Sequence, residues 1–164
     1  MSQRTIMYTG KIFKHPIKDR IVRTCQGGTY ACILDVKDQD IEFVNYIYNN
    51  PPEHVLDQDG LNAHPKNSNK LGFIDTAVTE NYIYLVKYNI TLSDLGIDVD
   101  DKNNGYPLWF TTQIHVFDWE GNPIKKYNLD KYFTSLAVDS KDQYIYVQTM
   151  DPTDGNCSLV KYEL

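Results

Sequence analysis

Apolar and polar residues alternate along most of this chain, in short runs that polar turns separate. The alternation is strictest at Asn81–Tyr88 (NYIYLVKY) and Thr112–Trp119 (TQIHVFDW), and the Tyr-Ile-Tyr core of the first run returns at Tyr144–Tyr146. A period of two residues is typical of half-buried β-strands, because successive side chains point to opposite faces of the sheet. The sequence therefore predicts a protein made of strands joined by turns.

The runs recur as three copies of one unit: strand, turn, strand, longer loop, strand, turn, strand. The copies span about 4–50, 71–130 and 131–164, and only the last lacks its outer strand. Such a repeat indicates the blades of a β-propeller. We therefore predict an all-β fold, a partial β-propeller of three four-stranded antiparallel blades, in a single domain over residues 1–164.

The predicted strands follow from the positions of the turns. They are Thr5–Lys14, Asp19–Gln26, Tyr30–Val36 and Ile41–Tyr48 in the first blade; Gly72–Thr79, Asn81–Tyr88, Thr112–Trp119 and Ile124–Leu129 in the second; and Thr134–Asp139, Tyr144–Met150 and Ser158–Leu164 in the third. On this assignment Tyr82 and Tyr84 occupy the same places in their blade as Tyr144 and Tyr146 do in the next.

Three blades leave two flanks open, whereas propellers close with about four to eight blades. A two-fold dimer, in which the first blade of each chain meets the third blade of the other, completes six blades. Two alternatives stay open: a monomeric half-ring whose flanks are covered in some other way, or a fragment of a longer protein.

Four phrases carry a resemblance to a known family: FIDTAVTENYIYLVKY, IHVFDWEGNPIKKYNLD, SLAVDSKDQYIYV and the terminal LVKYEL. Over nearly its whole length the chain resembles the carboxy-terminal half of the bacterial TolB-like six-bladed propeller family. The resemblance implies a propeller with a binding or scaffolding role and no catalytic residues to transfer, and it suggests the cell envelope. The chain differs in having about half the length and no apolar signal region, which leaves its compartment open.

Charge and hydropathy exclude two classes of partner. A net charge of -6 offers no basic surface for nucleic acid, whose binding depends largely on neutralising phosphates. No apolar run approaches the roughly 20 residues that a membrane-spanning helix requires. The three cysteines, Cys25, Cys32 and Cys157, are an odd set without metal-ligand spacing, and we interpret them as small packing residues.

Three long loops are predicted on the same face of the propeller: residues 49–71, 89–111 and 151–156. Binding residues tend to accumulate on such loops, and exposed aromatic side chains are common anchors. An alternative is that these aromatic residues fold down and cap the blade edge. The candidate binding residues on this face are His64, Asp101, Tyr106, Trp109 and Phe110.

No catalytic motif occurs in the sequence, and no metal site or cofactor is expected. The acidic run at 94–101 lacks the spacing of an EF-hand, and the four histidines have no ligand spacing. The leading hypothesis is a non-catalytic module that binds a peptide, glycan or protein. The alternatives are an enzyme with a small polar substrate in the axial funnel, or a truncated fragment without independent function.

Overall fold

The computed structural model describes residues 10–60, 63–66, 68–88, 90–91, 93, 111–151 and 155–164. Strand makes up 66% of that part, which contains no helix, so the predicted all-β fold is confirmed. The strands are β1 Gly10–Lys14, β2 Arg20–Cys25, β3 Tyr30–Lys37, β4 Asp40–Asn49, β5 His54–Leu56, β6 Ala63–Pro65, β7 Phe73–Val78, β8 Tyr82–Lys87, β9 Thr111–Asp118, β10 Pro123–Val138, β11 Tyr144–Met150 and β12 Cys157–Glu163.

The first blade is a sheet of four antiparallel strands in the order β1-β2-β3-β4, as predicted. The remaining long strands form a continuous sheet in the order β7-β8-β9-β10-β11-β12. The second blade consists of β7, β8, β9 and the first half of β10. The second half of β10, with β11 and β12, makes the third blade, which has three strands.

β10 differs from the prediction. The two strands expected at Ile124–Leu129 and Thr134–Asp139 are one strand of 16 residues, whose first half pairs with β9 and whose second half pairs with β11. The register shifts between Asn128 and Phe133, and Phe133 pairs with Thr111 on one side and Thr149 on the other. The sheet folds over at this irregularity, because side chains from both halves share one core.

A two-stranded hairpin of β5 and β6 also departs from the prediction, which left residues 49–71 as a loop. Asn69 fixes the base of this connector: its Oδ1 accepts the N–H of Glu53 at 2.9 Å, and its Nδ2 donates to the carbonyl of the same residue at 2.7 Å. Lys66 and Glu53 form an exposed ion pair beside it.

The predicted equivalence of the two Tyr-Ile-Tyr segments is confirmed. Tyr84 in β8 pairs with Ala77, and Tyr146 in β11 pairs with Ala137. Each tyrosine therefore lies on the second strand of its blade, opposite an alanine of the innermost strand.

In each blade, a different side chain caps the turn between the first and second strands. His15, Thr79 and Asp139 hold the same position, where the backbone N–H donates across the turn to the carbonyl of Arg20, Tyr82 and Tyr144 respectively. Each side chain also accepts two or three backbone N–H groups of its own turn. Side-chain acceptors of this kind replace the ladder bonds that a turn leaves unmade.

The hydrophobic core consists of two layers, one on each face of the second blade. The layer toward the first blade contains Val22, Ile33, Phe73, Ile83 and Trp119. The buried residues of the layer toward the third blade are Tyr84, Val86, Ile114, Val116, Phe133, Leu136, Ile145 and Val147. The second blade is thus buried on both faces, as the middle blade of a propeller segment must be.

Polar contacts fix the joints between the blades. Arg20 donates twice to Asp35, at 2.6 and 3.1 Å, and once to the carbonyl of Trp119 at 2.9 Å, which ties β2 to the turn after β9. At the second joint, the hydroxyl of Tyr84 donates to Asp142 Oδ1 at 2.8 Å. A partly buried hydrogen bond of this kind helps to fix how one sheet lies on the next.

The innermost strands β1, β7 and β10 meet at Asp75. Its Oδ1 forms an ion pair with Lys11 of β1 at 3.2 Å, and its Oδ2 accepts the N–H of Leu136 in β10 at 3.0 Å. One carboxylate on the axial side of the sheets therefore links all three blades.

Candidate functional site

A groove separates the outer strand of the first blade from the outer part of the second. It has a cavity volume of about 490 Å³ and its lining residues are Tyr48, His115, Val116, Phe117, Pro123, Ile124, Lys125 and Lys126. The strand register explains the set, because His115 of β9 pairs with Lys126 of β10 and their side chains share the face that Tyr48 of β4 covers. We call this the interblade groove.

Tyr48 and His115 form the polar centre of the interblade groove. The Tyr48 hydroxyl lies 2.7 Å from Nδ1 of His115, and the Tyr48 ring packs against Phe73 and Phe117 at centroid distances of 5.7 and 5.6 Å. Lys87 Nζ lies 5.1 Å from the centroid of the same ring. The aromatic layer therefore holds His115 in place between two lysines, Lys87 and Lys126.

Among the residues that the structure describes, positive charge accumulates here without a neutralising carboxylate. None of the lining residues is acidic, although the chain has 22 acidic residues against 16 Lys and Arg. Within the described part of the chain, no ion pair involves Lys70, Lys87 or Lys126. The interblade groove is thus a local cationic site in an acidic protein.

Titration shifts in the groove have the same physical origin. Burial, followed by Lys126 and Lys87, lowers the pKa of His115, and burial with Lys70 and Lys126 lowers the pKa of Lys87. Burial alone raises the pKa of the Tyr48 hydroxyl. Neutral His115 beside cationic lysines is therefore the favoured protonation state in the groove near neutral pH.

The outward face of the first blade is a second candidate surface. Ile12, Arg23, Cys32 and Tyr46 stand side by side across its four strands, and Phe43 pairs with Leu34 in the neighbouring row. Ile12 is 64% exposed, Phe43 53% and Tyr46 40%, whereas Val22 and Ile33 on the opposite face are 0% exposed. We call this apolar surface the first-blade flank.

The outward face of the third blade has a different composition. Tyr144, Tyr146 and Lys161 lie together, with the Lys161 ammonium 3.5 Å from the centroid of the Tyr144 ring and 5.9 Å from that of Tyr146. Leu159 is 76% exposed beside them. This third-blade flank combines aromatic rings with a cation.

Most of the predicted binding residues fall outside the described part of the chain: Asp101, Tyr106, Trp109 and Phe110, together with the acidic run at 94–101. His64 belongs to β6, in the hairpin of the connector. No geometry therefore relates these five residues to each other, and the long-loop face stays a prediction. Of the three cysteines, Cys25 and Cys32 are buried as expected, but Cys157 is exposed rather than packed.

Among the described residues, no group of three or more His, Cys, Asp and Glu side chains is placed to hold a metal ion. That part of the chain also contains no helix with the length and hydropathy to span a membrane.

The sequence was compared with models of known protein families. The model described as TolB-like 6-blade propeller-like matches residues 7–141. The chain belongs to the TolB-like propeller family. The match covers the first blade, the second blade and the innermost strand of the third, so this TolB-like chain contains three blades of a six-bladed type.

Two solved structures are similar to this TolB-like chain. One is the periplasmic gluconolactonase PpgL of Pseudomonas aeruginosa, with 10% identity and a TM-score of 0.42 over 94% of this chain and 41% of that one. The other is the Pan2 WD40 domain of Neurospora crassa, with 11% identity and a TM-score of 0.32 over 93% of this chain and 49% of that one. The chain thus spans less than half the length of each. No curated protein matches the sequence.

The interblade groove was missed in the sequence because its residues are far apart in the chain. His115 is an ordinary member of an alternating strand, and Tyr48 belongs to another blade. The available signal was a histidine and two lysines on the same face of adjacent strands. That signal becomes informative only when the strand register is known.

Proposed function

We propose that this chain is a non-catalytic binding and interaction module whose two open flanks bind another propeller half, a second copy of the chain in the simplest assembly. The observation that carries the proposal is the exposure of the first-blade flank. Large exposed apolar surfaces usually mark interaction sites on soluble proteins. Ile12, Phe43 and Tyr46 would be buried by an added blade.

The internal joints supply the template for this contact. In the second joint, Tyr84 of one blade covers the next blade and donates to Asp142 in its first turn. Tyr146 is the register equivalent of Tyr84, yet it lies on the third-blade flank, where no blade covers it. The corresponding turn of the first blade, residues 15–20, has the same length, but it carries Lys18 at the place of Asp142, and Asp19 one residue further on pairs with Lys14 at 3.0 Å.

A two-fold arrangement uses both flanks at once. The first-blade flank of each copy meets the third-blade flank of the other, and the two equal contacts complete the six blades of the family. Lys161 and the two tyrosines around it would then lie over the apolar surface and Arg23 of the first blade, a composition typical of interfaces rich in aromatic residues.

Light scattering at micromolar concentration tests the assembly. We expect a mass of twice the 19.0 kDa of the chain for the native protein. Phe43→Glu places a charge in the contact and should return the mass to that of one chain, because burying a large apolar side chain contributes about 1.5–3 kcal/mol. Ile124→Glu is the matched control, since Ile124 is 50% exposed but lies on the outer strand of the middle blade.

A native mass of 19.0 kDa that does not change with concentration would contradict the second copy as partner. Equal masses for the native protein and Phe43→Glu, both dimeric, would contradict the first-blade flank as the contact surface. The same measurement on Ile124→Glu shows whether an added surface charge has a general effect.

The long-loop face remains the predicted site for a peptide, glycan or protein ligand, with Tyr106, Trp109 and Phe110 as anchors. An anchor must be accessible in the unliganded protein. Acrylamide quenching of tryptophan fluorescence measures this for Trp109, as the difference between native protein and Trp109→Phe. Strong quenching is expected, and a shielded Trp109 would favour the alternative in which these rings cap the blade edge.

A further inference from the structure

We propose that the interblade groove binds a small organic anion, one that joins a carboxylate or phosphate group to an apolar body. This site is distinct from the two flanks, and it lies between two blades rather than on the propeller axis. Its volume of about 490 Å³ falls within the usual range for small-molecule sites, about 300–1,000 Å³.

The cationic side chains of the groove determine the charged part of the ligand. Lys126 and His115 line it on the same face, Lys87 lies beside Tyr48, and none of the described lining residues is acidic. Cationic side chains close together repel each other, and an oxyanion placed between them removes that repulsion while it accepts their hydrogen bonds. Lysine and histidine donors fit either a carboxylate or a phosphate.

The apolar half of the ligand is specified by the walls. Phe117, Ile124 and Pro123 line the groove together with the Tyr48 ring, and Ile124 is 50% exposed. A bare inorganic anion would leave the exposed part of these walls, above all Ile124, in contact with water. An aromatic or aliphatic body would cover them, with a gain of about 25 cal/mol for each Å² removed from water.

Tyr48 and His115 orient the anion. Their hydrogen bond of 2.7 Å uses Nδ1 of His115, which leaves Nε2 as the ring atom available to a ligand. If Nδ1 accepts from the tyrosine, Nε2 carries the proton and donates. Tyr48 is therefore a positioning residue, and Tyr48→Phe should weaken binding without removing the positive charge.

The charged groups around His115 predict a pH dependence. Tyr48 faces it from β4, Lys87 from β8 and Lys126 from β10. Burial and the two lysines lower the pKa of His115, and a bound anion opposes the effect of both lysines. His115 should therefore take up a proton on binding, and the affinity should rise as the pH falls from 8 to 6.

Isothermal titration calorimetry with four probes tests the proposal: phenyl phosphate, benzoate, sulfate and neutral benzyl alcohol. We expect saturable binding of at least one aromatic anion, at least tenfold tighter than sulfate or benzyl alcohol. The first two probes distinguish a phosphate from a carboxylate ligand. Absence of saturable binding by both aromatic anions, or equal affinity for benzyl alcohol, would overturn the proposal.

Substitutions locate the binding. Lys126→Gln should weaken the aromatic anion about tenfold, the usual effect of losing one charge-assisted hydrogen bond. Lys141→Gln is the control, because it removes an equal charge from an exposed turn outside the groove. Equal losses of affinity in the two variants would indicate non-specific attraction and contradict the groove as the binding site.

An NMR titration of the native protein locates the ligand independently. The His115 Hε1 resonance should shift on titration with benzoate. If this resonance does not move while calorimetry records heat of binding, the ligand is bound elsewhere.

Discussion

At the scale of single residues, the clearest result is that three unrelated side chains perform one task. His15, Thr79 and Asp139 hold the same turn position in successive blades, and each accepts backbone N–H groups that the ladder leaves unpaired. The requirement is for a short acceptor at that place, not for one residue type. For this reason a search for identical residues would not detect the equivalence of these turns.

Asp139→Ala should lower the free energy of unfolding by about 1–2 kcal/mol, because Asp139 accepts the N–H groups of Lys141, Gln143 and Tyr144. Urea denaturation followed by fluorescence measures the change. Ser140→Ala, one residue further on, is the control and should stay within about 0.5 kcal/mol. A similar small effect for Asp139→Ala would mean that solvent replaces the cap at no cost.

His15 should make the stability of the fold sensitive to acid. Its Nδ1 accepts the N–H groups of Ile17 and Lys18, both at 3.0 Å, and burial, followed by the charge of Lys18, lowers its pKa from 6.5. The unfolded chain then binds a proton at a higher pH than the folded one. The stabilisation of the fold by neutral His15 is fully present above pH 6.5. It is lost as the pH falls through the lower pKa that His15 has in the folded state.

His15→Asn keeps an acceptor for the turn and removes the titration. Thermal melts between pH 5 and 8 should therefore show a smaller loss of stability in acid for this variant than for the native protein. His54→Asn, at an exposed strand position, is the matched control for the loss of a histidine. An unchanged slope in His15→Asn would show that other groups account for the acid effect.

At the scale of strands and blades, most of the architecture could be predicted from alternation and turns. The exceptions have physical reasons. The predicted strands leave a gap between Leu129 and Thr134. Asp130 and Lys131 lie in that gap, and β10 continues through them with both side chains exposed, where the strand passes from one blade to the next. β5 and β6 have only three residues each, too few for a period of two to appear above the surrounding polar sequence.

The candidate sites were harder to predict, because they depend on contacts between blades. Tyr48 and His115 are separated by 67 positions and meet only when the first blade lies on the second. The Phe43 side chain follows the same alternation as buried residues of other strands. Whether a given face is covered depends on the neighbouring blade, and alternation within a strand carries no information about that.

Gly72 is the tightest point of the connection between the first two blades. A Cβ atom there would lie 1.9 Å from the carbonyl oxygen of Cys25 and 2.4 Å from that of Gly28. Gly72→Ala should therefore lower the free energy of unfolding by about 2–3 kcal/mol or more, since backbone atoms cannot move aside cheaply.

The control for this prediction is Gly60→Ala. Gly60 has open space around it but a φ of +72°, so an alanine there costs about 1 kcal/mol in backbone strain alone. Urea denaturation should give the larger loss for Gly72→Ala. The reverse order would mean that the connector moves to admit a methyl group.

At the scale of the whole molecule, Tyr84 and Tyr146 occupy equivalent positions in their blades but lie in two different environments. Tyr84 is 2% exposed and donates to Asp142 inside the chain, whereas Tyr146 lies on an open flank. The hydroxyl of the first should therefore contribute to the stability of one chain, and that of the second to the association of two.

Tyr84→Phe should lower the free energy of unfolding by about 1–2 kcal/mol at every protein concentration, because it leaves Asp142 with one partner fewer. Tyr146→Phe should leave the dilute chain unchanged within about 0.5 kcal/mol and shift the concentration at which dimers form. Thermal melts at several concentrations separate the two effects. A concentration-independent loss in Tyr146→Phe would argue against the paired half-rings.

The continuous pairing of β10 determines where the chain can be cut into complementing fragments. Because this strand is hydrogen-bonded to β9 along its first half and to β11 along its second, the second and third blades have no seam of their own. A nick within β10 would interrupt its pairing with β9 or with β11 inside one continuous sheet, whereas a nick in the connector between β4 and β7 leaves every long ladder intact. Complementing fragments and circular permutants should therefore be designed at the connector, with residues 10–49 as one piece and 73–164 as the other.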